Sequence, residues 1–291
     1  MGQSNNGVAE KTVLSGMLPE EIAAVCNLPQ RFHSMQIFQW IARGCSSFED
    51  MTNLPLKERE RLAGEYTPRN TVCETVLKDP DGTVKLGVGL HDGSSIETVL
   101  LFDKAARRTA CVSCQVGCPM GCTFCQTGQL GCLRNLSPNE IVEQFLHLEK
   151  ICGKLDNIVF MGMGEPLLNL DSIAKTIAVL THPKGRNLSH RRITLSTSGI
   201  CKGIYELADS KLDIRLAVSL TTADEDLRTT LMPVTKANPL GELKKAIRYF
   251  NDKTDKRVTL ELALLKDVNT SYKAAQQVRA FTEGLNIHIN L

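Results

Sequence analysis

The sequence predicts an α/β fold, a partial (β/α)6 TIM-like barrel preceded by a small N-terminal helical accessory domain and a β-rich extension. Three observations predict it. From Arg108 onward, short apolar runs alternate with amphipathic helices. Strand–helix alternation implies parallel strands joined by right-handed crossovers, and six such runs, at 109–113, 157–161, 191–196, 213–219, 257–264 and 286–291, suggest part of a barrel. The segments before residue 105 carry different patterns, helical first and β-rich after.

Residues 1–16 read as a frayed polar tail. Over 17–66 the pattern is helical: Leu18-Pro19-Glu20-Glu21 opens a short helix, with proline and acids where a first turn favours them. Phe32, Ile37, Trp40 and Ile41 mark a second helix with its own apolar face, and Trp40 reads as core of this module rather than as a platform for a base. The 67–104 stretch is the β-rich extension, with turns at Asp79-Pro80-Asp81-Gly82 and Asp92-Gly93. The 105–291 stretch is the core, ending within the sixth strand. Inside it, Ser137-Pro138-Asn139-Glu140 forms a capping box with proline at the first helical position, opening a helix that buries Ile141, Phe145, Leu148 and Cys152. A later helix carries Leu240, Leu243, Ile247 and Phe250 at helical spacing. Barrel chemistry belongs on the loops after the strand C-termini. A cysteine-rich loop, Gly164-Glu165, Ser196 and Ser219 all fall on that rim.

At 291 residues the chain can bury a large core. With 34 Lys+Arg against 32 Asp+Glu it is not a general basic glue for nucleic acid. Contact with RNA must come from local patches, with Arg107-Arg108, Lys184-Gly185-Arg186 and His190-Arg191-Arg192 as candidates; each reads equally well as solvated loop charge. Eleven cysteines is a high, odd count for a chain of this size, and a disulfide scaffold suits small secreted chains instead. No secretory signal is visible, Asn6 breaks a myristoylation start, and no run approaches about 18 apolar residues. The expectation is a monomer in a reducing cytoplasm, off the membrane, with thiolates free to take iron.

The most telling run is Cys118-Pro119-Met120-Gly121-Cys122-Thr123-Phe124-Cys125. Three thiolates this close can grip three irons of a four-iron, four-sulfur cluster, whose usual complement is four cysteines, leaving one iron open to a small molecule. The spacing also admits a structural zinc site completed by Cys111 and Cys114, or plain buried thiols.

This C-x-x-x-C-x-x-C run, with an aromatic before its last cysteine, resembles the signature of radical S-adenosylmethionine (SAM) enzymes. Cys111-Val112-Ser113-Cys114-Gln115-Val116-Gly117-Cys118 followed by Thr127-Gly128 resembles, more specifically, the RlmN and Cfr family of RNA adenine methyltransferases. So do Met161-Gly162-Met163-Gly164-Glu165-Pro166-Leu167-Leu168-Asn169 and Thr194-Leu195-Ser196-Thr197-Ser198-Gly199. The similarity runs from about residue 18 to the last residue, with the RlmN branch closer.

The resemblance implies one 4Fe-4S cluster on Cys118, Cys122 and Cys125, with S-adenosylmethionine chelated at the open iron and split to a 5′-deoxyadenosyl radical. It implies cofactor contacts from Gly164, Glu165, Ser196 and the Ser219-Leu220-Thr221 turn. Glycine after a strand lets backbone approach a ligand, although Gly-Met-Gly-Glu-Pro alone would be a strand-to-turn stop. The family usually has histidine where this chain has Thr221. Carbon 2 of adenine is not a nucleophile, so the family uses two S-adenosylmethionine per turnover. One methylates a cysteine near the C-terminus, and the other makes the radical that activates that methyl group. A second cysteine, matched by Cys111, resolves the RNA adduct through a transient disulfide. Glu97 matches a glutamate proposed to assist proton movement. A buried carboxylate of raised pKa can do this; an exposed strand residue is the alternative. Cys114 and Cys132, where the family often has serine and an aromatic, read as packing thiols.

The implied substrates are one adenine of 23S rRNA and, for RlmN-type members, an adenine beside the anticodon of certain tRNAs, with a donor such as flavodoxin or ferredoxin. Only 14 residues are aromatic, so recognition is expected to lean on RNA shape, phosphates and the N-terminal module, with a splayed-out base reaching the rim. Relatives continue with a further loop, helix and tail bearing the methyl-accepting cysteine, while no cysteine follows Cys201 here. The expectation is therefore a C-terminally truncated chain that assembles a cluster and cleaves the cofactor without methylating RNA. Rival readings are a radical SAM enzyme on a small substrate and a zinc-bound RNA-binding protein.

Overall fold

A nine-stranded sheet organises the chain in the computed structural model, which describes residues 11–28, 30–103 and 105–291. Ahead of it lies a helical module of β1 (Thr12–Val13), α1 (Pro19–Val25), α2 (Arg31–Ala42), α3 (Leu56–Glu65) and β2 (Tyr66–Thr67), with β1 and β2 paired in parallel. The antiparallel extension is β3 (Val72–Lys78), β4 (Val84–Gly89) and β5 (Ser95–Phe102). The core follows as β6 (Arg108–Cys111), β7 (Gln115–Gly117), α4 (Gln126–Gln129), β8 (Cys132–Asn135), α5 (Pro138–Cys152), β9 (Asn157–Phe160) and α6 (Leu170–Thr181). It ends with β10 (Ile193–Thr197), α7 (Cys201–Asp209), β11 (Arg215–Ser219), α8 (Glu225–Leu231), α9 (Leu240–Thr254), β12 (Val258–Glu261), α10 (Tyr272–Thr282) and β13 (Ile287–Asn290).

The sheet order is β13-β12-β11-β10-β9-β6-β5-β4-β3. The six strands β6, β9, β10, β11, β12 and β13 are parallel and lie side by side in chain order. Winding in one direction is how a barrel grows, whereas a doubly wound sheet reverses. β5 meets β6 antiparallel, so the extension continues the same sheet and the barrel stays open between β13 and β3. Side-chain alternation then decides the faces. Ala110, Ile158, Phe160, Ile193, Leu195, Leu216, Val218, Val258 and Leu260 are buried in the main core with the helices. Cys111, Val159, Thr194 and Ser196 face the other way and are half-buried. Among the described residues, no helix is long and apolar enough to cross a membrane.

The helices form where the sequence says they should. Ser137 N donates to Glu140 Oε2 (2.8 Å), the reciprocal bond of the capping box that starts α5. Leu240, Leu243, Ile247 and Phe250 are all buried along α9. Four expectations need correcting. The predicted frayed tail lies outside the described residues only as far as residue 10. Beyond it Leu14 and Ser15 are each 1% exposed, because β1 has its partner some fifty residues on, at β2. The third strand begins at Ile193, since His190–Arg192 is a 3-10 turn. Phe32 is 56% exposed and takes no place on the apolar face of α2. Cys152, at the C-terminal end of α5, is only half-buried.

The helical module is pinned to the core by a buried carboxylate. Glu143 on α5 accepts from Ser15 Oγ (2.6 Å), Thr71 N (2.8 Å), Thr71 Oγ1 (2.5 Å) and Asn70 N (3.2 Å). The Thr71 hydroxyl spends its one proton on Glu143, so His147 must donate Nε2–H to Thr71 Oγ1 (2.9 Å). Burial lowers the His147 pKa from 6.5 to about 4, with the Arg69 charge acting the same way. A histidine held neutral in the fold takes its proton more readily when unfolded. Stability is therefore expected to fall as pH drops from 6.5 towards 4, by up to ~3 kcal/mol. Urea unfolding of the wild type and His147→Gln at pH 7 and pH 5 checks this, since the variant should lose that part of the slope.

Candidate active site

The cysteine loop is built as a closed ring. β7 and β8 pair antiparallel at its base, and Cys118 N donates to Gly131 O (2.7 Å). Gln144 on α5 fixes the entrance, accepting from Ser113 N (2.8 Å) and donating to Ser113 O (3.0 Å). Gly121 turns the loop at φ 64° between the first two cysteines, and Cys125 N caps back to Cys122 O (3.1 Å). Gly117 is required at the join: its φ is 84°, and a Cβ there would stand 2.0 Å from Gly131 O. Gly117→Ala is expected to open the ring, at about 1–3 kcal/mol for the backbone conformation alone with the overlap added. Iron bound after anaerobic reconstitution should fall severalfold while far-UV circular dichroism stays unchanged.

All three thiols are free; Cys118 and Cys122 are buried and Cys125 is half-buried. Met232 and Val234 wall the loop at Cys122, with Met120 and Leu231 against them. Burial raises the pKa of both Cys118 and Cys122, the latter to about 11, and the charges of Cys118 and Cys125 act on Cys122. Among the described residues no three His, Cys, Asp or Glu side chains converge closely enough to share one metal ion. A cubane makes a different demand, because each thiolate takes its own iron and the ligands stand apart around it. Three neighbouring thiols on one glycine-turned loop, walled from water on one side, fit that demand. A zinc knot completed by Cys111 and Cys114 does not fit, since Cys114 is packed under Gly164 and Cys111 lies on the sheet.

Behind the ring, the loop after β9 is clamped to the turn after β10. Met163 O accepts from Cys114 N (2.8 Å), and Glu165 N donates to Gln115 Oε1 (2.8 Å). Glu165 is 2% exposed, and its carboxylate is fully occupied by protein donors: Leu167 N (3.1 Å), Ser198 N (2.7 Å) and Ser198 Oγ (2.7 Å). Burial raises its pKa, against the pull of the Ser198 bonds. Its side chain thus joins two turns, and Gly164 beside it, at φ 107°, is required by packing, since a Cβ there would stand 2.7 Å from Gln115 Cβ and 2.8 Å from Cys114 Sγ.

Ser196 and Ser219 are half-buried on the rim side of β10 and β11, while the Leu220 side chain is 0% exposed and belongs to the core. Thr221 is 2% exposed at φ 59°, a left-handed conformation uncommon for a β-branched residue. Its turn is held by Leu220 N and Thr221 N on Glu261 O (3.0 and 3.2 Å) and by Asn269 Nδ2 on Thr221 O (2.8 Å). Cys111, at the end of β6, points to the same face. Burial pushes its thiol up to about 11, and the Met161 N–H aimed at the sulfur lowers it only in part. Glu97 is exposed rather than buried: it ion-pairs with Lys85 (2.7 Å), with 56% of its own side chain open to water. The register Val99↔Cys111 still puts Glu97 on the Cys111 face, one row along.

The structure therefore gathers the cysteine trio, Cys111, Gly164, Glu165, Ser196 and the Ser219–Thr221 turn at the C-terminal ends of four neighbouring strands. It does not bring the basic patches there. Arg107, Lys184-Gly185-Arg186 and His190-Arg191-Arg192 precede β6 or β10, and Arg108 is the first residue of β6, so all lie at the opposite rim. Arg107 is tied to Asp103 and Arg186 to Glu149 (2.7 Å). Residues that sequence reasoning missed are Gln115, Gln144, Ser198 and the buried Arg228. Ser198 sits in the Ser-Thr-Ser-Gly run and Gln115 in the Cys111–Cys118 run, both already noted; Gln144 and Arg228 carry no local signal.

A family model for the radical SAM superfamily matches residues 112–275, and one for the ribosomal RNA large subunit methyltransferase N-terminal domain matches residues 28–67. The chain is 64% identical over 281 residues to a probable dual-specificity RNA methyltransferase RlmN of Treponema denticola, covering 97% of this chain and 81% of that one. The Treponema pallidum protein of the same name is 59% identical, with 96% and 82% covered. Among solved structures, a radical SAM methyltransferase from Sphaerobacter thermophilus superposes with a TM-score of 0.91 at 38% identity, covering 96% of this chain and 84% of that one. With the cysteine ring, the open barrel and the helical module all matched, the chain belongs to the radical SAM superfamily and, within it, to the RlmN family of methyltransferases.

Proposed function

We propose that this protein is an RlmN-type enzyme whose reaction is methylation of carbon 2 of an adenine in 23S rRNA, and of an adenine beside the anticodon of transfer RNAs, by way of a methyl-cysteine and two molecules of S-adenosylmethionine per turnover; the 291 residues of this chain carry no cysteine after Cys201 to accept that methyl group. The observation that carries the reading is the convergence of the cysteine ring and the turns after β9, β10 and β11 on one rim of an open barrel. The names borne by the Treponema relatives point the same way.

Cys118, Cys122 and Cys125 would hold the cluster, which when bound supplies the electron for reductive cleavage of the cofactor's sulfonium. The chain's own residues then have definable tasks. Gly164 presents backbone without a side chain, Ser196 and Ser219 offer hydroxyls, and the clamped Glu165 keeps these turns in register. Cys111 keeps its proton at neutral pH, so it is a thiol until a base removes that proton. Glu97 lies along the same face and reaches bulk water, which suits exchange of a proton with solvent more than storage in a dry site. Apolar Met120, Met232 and Val234 keep water from the Cys122 side of the ring. A flavodoxin or ferredoxin is the class of donor able to feed such a site.

The test is direct. Anaerobically reconstituted protein, reductant, methyl-labelled S-adenosylmethionine and either a 23S rRNA fragment or tRNA are incubated, and the RNA is digested to nucleosides for mass spectrometry. 5′-Deoxyadenosine with unlabelled RNA is the result expected of these 291 residues, which hold no cysteine after Cys201; label in 2-methyladenosine would support carbon 2 as the target and overturn the need for that cysteine. Label at carbon 8 redirects the reading to the other branch of the resemblance, and protein that binds no iron and yields no 5′-deoxyadenosine overturns it.

A further inference from the structure

Arg228, on α8, is 0% exposed. A buried guanidinium ordinarily sits against a carboxylate, because an unpaired interior charge is strongly disfavoured. Here every acceptor is neutral. Nε donates to Leu220 O (3.1 Å) and Nη1 to Thr235 Oγ1 (2.7 Å), while Nη2 donates to both Ser198 O (2.7 Å) and Ser219 O (3.1 Å). Glu225, one turn back on the same helix, accepts instead from Leu240 N (3.0 Å). The charge is therefore retained but not cancelled; burial lowers the Arg228 pKa only to about 10, so the cation persists at neutral pH.

What the cation touches is informative. Ser198 belongs to the turn after β10, and Ser219 and Leu220 belong to the turn after β11. The segment that carries Arg228 also reaches the cysteine ring, through Thr123 N on Leu231 O (2.9 Å) and through Met232 and Val234 packed on Cys122. A fixed positive charge thus stands among the two turns and the trio.

We infer that Arg228 is a positioning residue that doubles as the counter-charge of this site: it ties both turns to the cysteine ring and offsets the negative charge brought by a three-thiolate cluster. The inference rests on the reading of the trio as cluster ligands. Three thiolates outweigh the charge of a cubane core, and each added electron makes the assembly more negative. A cation held nearby at low dielectric favours the reduced form and so raises the reduction potential. An arginine hydrogen-bonded to an acid would present little net charge; one bound to carbonyls and a hydroxyl, with Glu225 acting on it only through space, keeps most of its charge for the cluster.

The test is a potentiometric titration, followed by electron paramagnetic resonance, of the reconstituted wild type, Arg228→Met, Arg228→Lys and Thr235→Asp. At a fixed reductant poise, Arg228→Met should lower the ratio of reduced to oxidised cluster at least tenfold, a shift of about 59 mV to more negative potential for one electron. Arg228→Lys, which keeps the charge and loses the fork, should stay within about threefold of wild type. Thr235→Asp sets a carboxylate on the guanidinium and should shift in the same direction as the methionine variant. A loaded Arg228→Met with an unchanged potential overturns the inference, as does a lysine variant displaced as far as the methionine one. If Arg228→Met does not fold, an unchanged potential in Thr235→Asp overturns it. Wild-type protein that takes up no iron fails at the earlier step, the reading of the trio, and takes this inference with it.

Discussion

Alanine at any one of Cys118, Cys122 and Cys125 is expected to reduce iron after anaerobic reconstitution from about four atoms per chain to near zero, and 5′-deoxyadenosine formation with it. The metal-free protein should melt within about 4 °C of wild type, the shift that ~1 kcal/mol gives at this size. The two halves of this result have separate causes. Two thiolates cannot anchor a cubane that already leaves one iron without a protein ligand, and the cysteines nearest the trio in sequence are held elsewhere. Cys114 is 2% exposed in the main core beneath Gly164, Cys111 is fixed on β6, and Cys132 is held in the β8 ribbon. The fold, by contrast, draws little from the trio: Cys122 and Cys125 pack on the satellite cluster around Met232 and Val234, and Cys118 belongs to neither hydrophobic cluster. Cys114→Ala is the matching control, since it removes a core sulfur and should lower the melting temperature while leaving iron in place. Retention of iron by any of the three alanine variants would remove the basis for the cluster.

The fold was legible in the sequence wherever a pattern is local. Six apolar runs separated by amphipathic helices are a property of neighbours in the chain, and each reappears as a parallel strand within a few residues of its predicted place. Features that depend on partners far apart in sequence were not legible. Leu14 looks like one apolar residue in a polar tail until β2, some fifty residues later, pairs with its strand. Arg-rich runs read equally as RNA contacts or as solvated loop charge until strand direction shows that they stand at or before the starts of their strands and so occupy the other rim. The site divides in the same way. The cysteine spacing and the Gly164-Glu165 motif could be read, because loop chemistry is written in consecutive residues. The clamp from Glu165 to Ser198 and the cation at Arg228 could not, because one arginine on a seven-residue helix reads as surface charge.

Glu165→Ala is expected to destabilise the fold by about 2–4 kcal/mol and to weaken binding of S-adenosylmethionine at least tenfold. Removing the carboxylate leaves Ser198 N and Leu167 N buried without an acceptor, and each such orphan costs ~1–3 kcal/mol. Glu165→Gln is not a gentle substitute. Both carboxylate oxygens face main-chain donors, so either placement of the amide turns its NH2 against an N–H that cannot rotate away. It should therefore behave more like the alanine variant than like wild type. The pH dependence separates this clamp from an ordinary ion pair. Glu165 has its pKa raised from 4.5 by burial, so the folded chain holds that proton more tightly than the unfolded chain does. Its contribution to stability is accordingly greatest below pH 4.5 and declines as pH climbs through the raised folded value. The stability gap between wild type and Glu165→Ala, measured by urea unfolding at pH 4.5 and pH 8, should narrow with rising pH; a salt-bridged carboxylate of depressed pKa would widen it. The binding loss follows from geometry, because the loop after β9 and the turn after β10 are joined through this one side chain and would come apart on its removal. A variant with wild-type affinity for S-adenosylmethionine and a widening gap would show that Glu165 neither joins those turns nor carries the cost of its burial.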